Sequence, residues 1–378
     1  MIPRAADAYL FLSLLQARVG TSVVARMADL PPESILQIPP DDLAPRLGLS
    51  QKVRLALKEL RDGFDAEAVR ARLSEGGYRV VTPVDGEYPE GLSEVPDPPP
   101  ALFVDGGLLG EPAVAIVGSR KASATALDAA RALGRALGER GVCVVSGLAL
   151  GVDAAAHEGA LEAGGATFGV LGCGIDGVYP KSNRGLFGRV REAGGLVSEY
   201  GPGEPPLRWR FPARNRVISG LAGCVVVVEA PEKSGSLITA RHATDAGNDV
   251  WAMPGPVGFA ECRGSNKLLA DGAGVLWDID EFVDSVAPRV EEPLKLKAAD
   301  KGTEDPAALA GLPEQEKAAL MGVGFEPAGI DVISGRSGVS MRELLAALAL
   351  LELKGYVKRD AGGAFARSPL GRARGGAR

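Results

Sequence analysis

The sequence predicts an α/β protein built on a doubly wound parallel sheet, flanked by a small N-terminal helical domain and a C-terminal winged-helix domain. Three observations carry this expectation. Six short apolar runs lie within residues 110–285: Ala113–Val117, Val142–Val145, Thr167–Leu171, Leu196–Ser198, Val225–Val228 and Val250–Met253. Strands that are apolar on both sides belong to a parallel sheet covered on both faces. Ala-rich stretches of helical length, such as Ala124–Gly138 and Val152–Ala163, lie between most of them. Glycine is abundant as well, 51 of 378 residues, against a usual share of about 7%. In a chain that is 46% hydrophobic, this glycine reads as tight strand-to-helix turns rather than low complexity.

Residues 1–65 read as the helical domain. Tyr9, Leu10, Leu12, Leu14, Leu15 and Val19 form a helical stripe that stops at Gly20-Thr21-Ser22. Pro31-Pro32-Glu33 and Pro39-Pro40-Asp41-Asp42 place proline just inside a helix start, with acids in the first turn where the helix dipole favours them. A charged amphipathic helix is expected over 52–62. The α/β domain is expected over 66–285. Its stretch 77–105 carries prolines at 96, 98, 99 and 100, which suit neither a helix nor a central strand, so an ordered connector or an edge is expected there. Residues 286–305 mix Pro, Lys, Glu and Asp and read as a linker. Within 306–378, Leu309–Val323, Gly329–Ser334 and Ser340–Lys354 read as three helices. Residues 355–360 and 364–366 then form a hairpin around Gly362-Gly363, which completes a winged helix-turn-helix outline. Arg367–Arg378, with four arginines and no acid, is a basic tail.

Composition bounds the function. No run of about 18 apolar residues and no cleavable leader pattern occurs, so a cytoplasmic protein with no membrane partner is expected. Cys143, Cys173, Cys224 and Cys262 are far apart and form no CxxC pair, so neither zinc nor a disulfide framework is expected. The formal charge of −6 argues at first sight against nucleic acid. That charge is unevenly spread: the segment 181–216 alone carries a net +5, interleaved with Phe187, Trp209 and Phe211. Cations that track phosphates beside rings that stack bases are what a single-strand binder requires.

Ligands of doubly wound sheets bind at the carboxyl ends of the strands, where Gly-rich turns feed helix N-termini. Four such turns occur: Gly118-Ser119-Arg120, Ser146 to Asp153, Gly172-Cys173-Gly174, and Ser234-Gly235-Ser236. Neither GxGxxG nor GxxxxGK[ST] is present, so a dinucleotide cofactor and a P-loop are not supported; a phosphate site is, with no cofactor expected. Asp153 and His157, spaced i,i+4, could meet on one helix face, but no nucleophile, base or metal set accompanies them, so no catalytic or metal residues are assigned.

These residues carry a family resemblance. Tyr88-Pro89, Asp97-Pro98-Pro99, Gly118-Ser119-Arg120, Ser146-Gly147-Leu148-Ala149 with Gly151, Asp153 and His157, then Asp176, Tyr179-Pro180, Asn183 and Ser198-Glu199 occur in order. Phe211 to Arg216, Glu229-Ala230, Ser234 to Ala240, Pro254-Gly255 and Gly272-Ala273 follow. Over roughly 85–280 the chain resembles the DNA-processing protein A family (DprA, also called Smf) of bacterial transformation and recombination. The resemblance implies an extended Rossmann domain that binds single-stranded DNA without strong sequence preference and protects it. It also implies loading of the RecA recombinase, a homodimer, contact with single-strand-binding proteins, and no enzymatic activity. The DNA-binding residues it implies are Gly118, Ser119, Arg120, Lys181, Asn183, Arg184, Arg214, Asn215, Arg216, Ser234, Gly235 and Ser236. The flanking segments fit an N-terminal sterile-alpha-motif or helix-hairpin-helix unit and a C-terminal winged helix. One departure is Leu150, which stands where many relatives have Arg.

Two other functions compete. Related Rossmann proteins of the phosphoribohydrolase type hydrolyse nucleotides with a Gly-rich loop bearing a Glu, at a position that is Thr239 here. A winged-helix regulator sensing a nucleotide is the third, although residues 340–359 carry only a modest +2.

Overall fold

A computed structural model describes residues 4–107, 112–287, 313–323, 328–337, 339–354, 356–359 and 364–367. The chain forms two compact units, Met1–Arg289 and Val290–Arg378. No helix among the described residues is long and apolar enough to cross a membrane.

The first unit opens with six helices: α1 Ala5–Val19, α2 Thr21–Ala25, α3 Pro32–Gln37, α4 Pro40–Arg46, α5 Gln51–Asp62 and α6 Ala66–Glu75. Their ends follow the expected chemistry. Pro32 and Pro40 are the first residues of their helices, and Ser50 Oγ and Asp65 Oδ1 accept the free N–H groups that start α5 and α6. Phe11, Leu15, Met27, Ile35, Leu43 and Leu57 close a small core among these helices. The layer read as a separate 1–65 domain is nonetheless joined to the sheet. Leu10 and Leu73 pack with Phe103, Leu171 and Phe187, and the Ser13 and Gln16 side chains hydrogen-bond to Glu199.

Nine strands follow: β1 Arg79–Val81, β2 Leu102–Gly106, β3 Ala113–Val117, β4 Cys143–Ser146, β5 Thr167–Leu171, β6 Gly195–Ser198, β7 Cys224–Val227, β8 Asp249–Ala252 and β9 Gly274–Val275. Seven helices intersperse them: α7 Ala124–Glu139, α8 Val152–Glu162, α9 Arg184–Ala193, α10 Arg210–Gly220, α11 Ser236–Asp245, α12 Arg263–Ala270 and α13 Ile279–Val286. They form one sheet in the order β1-β2-β6-β5-β4-β3-β7-β8-β9. All six expected apolar runs are strands, and their pairings with one another are parallel. The segment 77–105, where a connector or an edge is expected, lies at one edge of the sheet and adds two antiparallel strands to the parallel core. It supplies the edge strand β1 and the next strand β2, which pairs antiparallel with both β1 and β6, while the prolines stay between β1 and β2.

The lack of polar alternation in the strands has its cause in the two layers. Ala113, Ala115 and Val117 of β3 face α10 and α11 through Val217, Ile218, Ala240 and Ala243. Val114 and Ile116 face α7, α8 and α13 through Ala130, Leu133, Ala156 and Phe282. The abundant small residues bring α7 and α8 into near backbone contact, since a Cβ on Gly134 or Gly159 would overlap the Ala156 or Arg131 carbonyl oxygen of the opposite helix.

The second unit contains α14 Glu314–Gly322, α15 Ile330–Ser337, α16 Met341–Leu353 and the antiparallel pair β10 Val357–Arg359 and β11 Phe365–Arg367. Leu320, Ile333, Leu344, Leu348, Leu351, Val357 and Phe365 form its core. Ala328 and Phe365 exchange both backbone hydrogen bonds, adding a bridge to the hairpin. Three helices and a wing are present as expected; the Gly362-Gly363 turn, the tail beyond Arg367 and nearly all of the 286–305 linker lie outside the described residues.

Candidate nucleic-acid interface

The chain passes from β3 to β4 on one side of the sheet and returns to place β7 on the other, so the strand order reverses between β3 and β7. A crevice opens at the carboxyl ends of strands at such a switch point. Here it is a groove of about 840 Å³. Its walls come from the segments after β3 (Gly118 to Lys121), β4 (Ala149, Asp153), β5 (Tyr179) and β7 (Ser234 to Ser236), together with α10 (Phe211, Arg214, Asn215).

The loop after β4 is the most constrained part. Leu148 holds φ +55°, a conformation unusual for a side-chain-bearing residue, and Gly151 holds φ +79° where a Cβ would overlap the Ser119 carbonyl. Partners fix it from every side. Asp153 Oδ2 accepts the Gly147 and Ala149 N–H groups at 3.1 and 3.4 Å. Asn183 Nδ2 donates to the Leu148 and Ala149 carbonyls at 3.0 and 3.2 Å. Arg214 Nη1 donates to the Gly147 carbonyl at 2.9 Å and also to that of Val170. Arg214 Nε donates to Asn215 Oδ1, and Asn215 Nδ2 donates to the Gly235 carbonyl, tying α10 to the loop after β7.

Burial lowers the Arg214 pKa to about 10, which leaves it charged at neutral pH, and raises that of Asp153 while the Arg214 charge opposes the rise. Asp153 and His157 do not form the pair their spacing allowed. His157 is fully buried, and its Nδ1 meets Thr167 Oγ1, which itself donates to the Val144 carbonyl. Burial, with the Arg214 charge adding, lowers its pKa to about 3.

The twelve expected site residues divide into two sets. Gly118, Ser119, Arg120, Arg214, Asn215, Ser234, Gly235 and Ser236 converge on the groove. Lys181, Asn183, Arg184 and Arg216 do not line it. Asn183 braces the β4 loop, and Lys181 and Arg184 are exposed just beyond the groove-lining Tyr179. Arg216 is 3% exposed and forms a two-point ion pair with Glu199, while its Nε donates to the Asp97 carbonyl.

The +5 of segment 181–216 is only partly a free surface charge. Arg189, Arg191, Arg210 and Arg216 pair with Glu158, Asp105, Glu204 and Glu199, and Arg214 is buried. Phe187 is core. Trp209 packs edge-on against Tyr200, with the buried Arg210 guanidinium 5.2 Å from the Trp209 ring.

The exposed cations of the groove are Arg120, Lys121 and Arg208; sequence reasoning chose only the first as a site residue. Arg120 lies 5.7 Å from the Phe211 ring centroid, and Tyr179 lies 5.2 Å from the same ring. Tyr179 was legible only as part of a Tyr-Pro pair, and nothing in the local pattern sets Lys121 or Arg208 apart from other surface cations. Leu150 is an exposed side chain on the β4 loop, next to the groove-lining Ala149.

Fold and groove define a Rossmann-type protein with a cationic, aromatic-walled cleft at its switch point and a winged helix after it. The family model for DNA recombination-mediator protein A matches residues 79–287, and that for the DprA winged helix domain matches residues 303–363. The chain belongs to the DNA recombination-mediator protein A family. It is 35% identical to Protein Smf of Synechocystis over 76% of this chain and 79% of that protein, and 38% identical to Protein Smf of Escherichia coli over 74% and 75%. The crystal structure of DNA processing protein A from Streptococcus pneumoniae aligns with a TM-score of 0.64 and 34% identity, over 74% of this chain and 98% of that one. The Helicobacter pylori protein, whose structure concerns its single-stranded DNA binding mode, aligns with a TM-score of 0.50 and 30% identity, over 55% and 94%.

Proposed function

We propose that this chain binds single-stranded DNA without strong sequence preference, protects it, and promotes RecA loading in transformation and recombination. The observation that carries the reading is the groove wall in which Arg120, Lys121 and Arg208 stand beside the Tyr179–Phe211 ring pair. Cations neutralise backbone phosphates at any sequence, and every base has a face that can stack. The Helicobacter relative's single-stranded DNA binding supports the same ligand. RecA, a second copy of the chain and single-strand-binding proteins are proposed as partners on the family resemblance.

The non-enzymatic reading draws support from side chains committed elsewhere. Asp153 is engaged by loop N–H groups and His157 is sealed in the core, and on the resemblance to phosphoribohydrolases the position of their Glu is Thr239 here. In the winged helix, the exposed side of α16 includes Met341, Leu345, Leu350, Glu343 and Glu352, chemistry that favours a protein contact over a phosphate backbone. A gel shift with dT oligonucleotides on the wild type and Arg120→Ala tests the main proposal. Binding by the wild type, with a clear loss in the variant, is expected; equal binding by both removes the groove as the site. Release of free base from added nucleotides would replace the proposal with the enzyme reading.

A further inference from the structure

Rossmann-type sheets that hold free nucleotides grip the phosphate with main-chain N–H groups at the helix starts around the switch point. In this protein several of those donors are already used. At the start of α7, the Ser123 N–H donates to Glu229 Oε1 at 3.1 Å and Ser123 Oγ donates to Glu229 Oε2 at 2.6 Å. The Ser119 N–H donates to the Glu229 carbonyl at 2.7 Å. Ahead of α8, the Gly147 and Ala149 N–H groups converge on Asp153. At α11, the Ser236 N–H is taken by Ser234 Oγ at 3.3 Å. Both carboxylates are buried, at 3% exposure for Glu229 and 6% for Asp153. Asp153 lines the groove, so an incoming anion would meet its negative charge there, and Glu229 holds the donors at the start of α7.

We infer that Glu229 and Asp153 are specificity-determining residues: internal anions that close the mononucleotide phosphate sites and reserve the groove for a strand. This rests on the single-stranded DNA reading and adds what that reading lacks, a reason why abundant free nucleotides do not compete. A strand brings several phosphates past the exposed Arg120, Lys121 and Arg208 and several bases past the Tyr179–Phe211 wall. A free nucleotide brings one phosphate group and one base, and needs the clustered main-chain donors that the two carboxylates occupy.

The test uses the full chain with dTMP and ATP at millimolar concentration, each compared with sodium chloride of matched ionic strength. The first readout is melting temperature, which needs no DNA. The wild type should show no rise over matched salt, whereas Glu229→Gln and Asp153→Asn, which weaken or neutralise the internal anion, should each be stabilised by nucleotide. The second readout is displacement of a dT oligonucleotide: the nucleotide concentration required should fall by roughly tenfold or more in either variant, about 1.4 kcal/mol of gained nucleotide affinity. Nucleotide stabilisation or displacement of the wild type overturns the inference, and this measurement needs no variant to fold. Folded variants as indifferent to nucleotide as the wild type also overturn it. A wild type that ignores both nucleotide and oligonucleotide overturns the strand reading as well, so the two failures are told apart.

Discussion

Arg214 and Arg216 stand two positions apart on α10 and serve opposite sides of the helix. Arg214 reaches the Gly147 and Val170 carbonyls beneath the groove, while Arg216 is locked to Glu199 in the interior. The sequence motif joins them, and only burial separates their roles, because periodicity shows that a position faces inward but not what it meets there. Replacing Arg216 with Ala strands the buried Glu199 charge and should cost about 3–5 kcal/mol in urea unfolding. Replacing Arg120, which is exposed, should leave stability nearly unchanged. It should instead weaken oligonucleotide binding and flatten the slope of log K against log salt by about 0.7, one phosphate contact on a single strand. His157 offers a pH test. The unfolded imidazole takes a proton near pH 6.5, whereas the folded one resists until about pH 3. Protons therefore favour the unfolded chain across that window, and stability should fall with pH by at most roughly 1.4 kcal/mol per unit from this group. His157→Asn should show a shallower loss over the same range; an unchanged slope contradicts the assignment.

At the scale of elements, the apolar strands were legible because a buried parallel strand has no polar side to confuse the pattern. The six runs became β3 to β8, with ends shifted by at most one residue. The edge pair β1 and β2 was less legible, since prolines surround β2 and its antiparallel partner β6 is distant in sequence. The helix pair α7 and α8 shows what glycine content means here. Gly159→Ala, favourable by about 1 kcal/mol in an isolated helix, should instead destabilise by roughly 1–3 kcal/mol, because its Cβ would overlap the Arg131 carbonyl and force the helices apart. Thermal denaturation of that variant checks the claim; a raised melting temperature would mean the helices separate freely.

For the whole molecule, a net charge of −6 and a DNA-binding proposal are compatible because charge acts where it is exposed. The segment sum of +5 overstates the free charge of that region: the buried Arg210 and Arg216 are spent on ion pairs, Arg189 and Arg191 pair at the surface, and the groove's exposed cations come from two turns, the one after β3 and the one before α10. With Arg120, Lys121 and Arg208 as the principal phosphate contacts, the single-strand salt slope should be about −2. A measured slope several times steeper would require a second binding surface. Helix α10 carries a wider consequence. Its groove side presents Phe211 and Asn215, while its inner arginines grip the Ala17 carbonyl of α1 and the Glu199 carboxylate that Gln16 also holds. The N-terminal helices and the cleft therefore share one wall. A minimal fragment trimmed to begin at β1 would not be an independent cassette: it would lose the α1 partners that hold this wall in register, so substitutions in α1 and in the cleft should constrain one another during evolution or engineering.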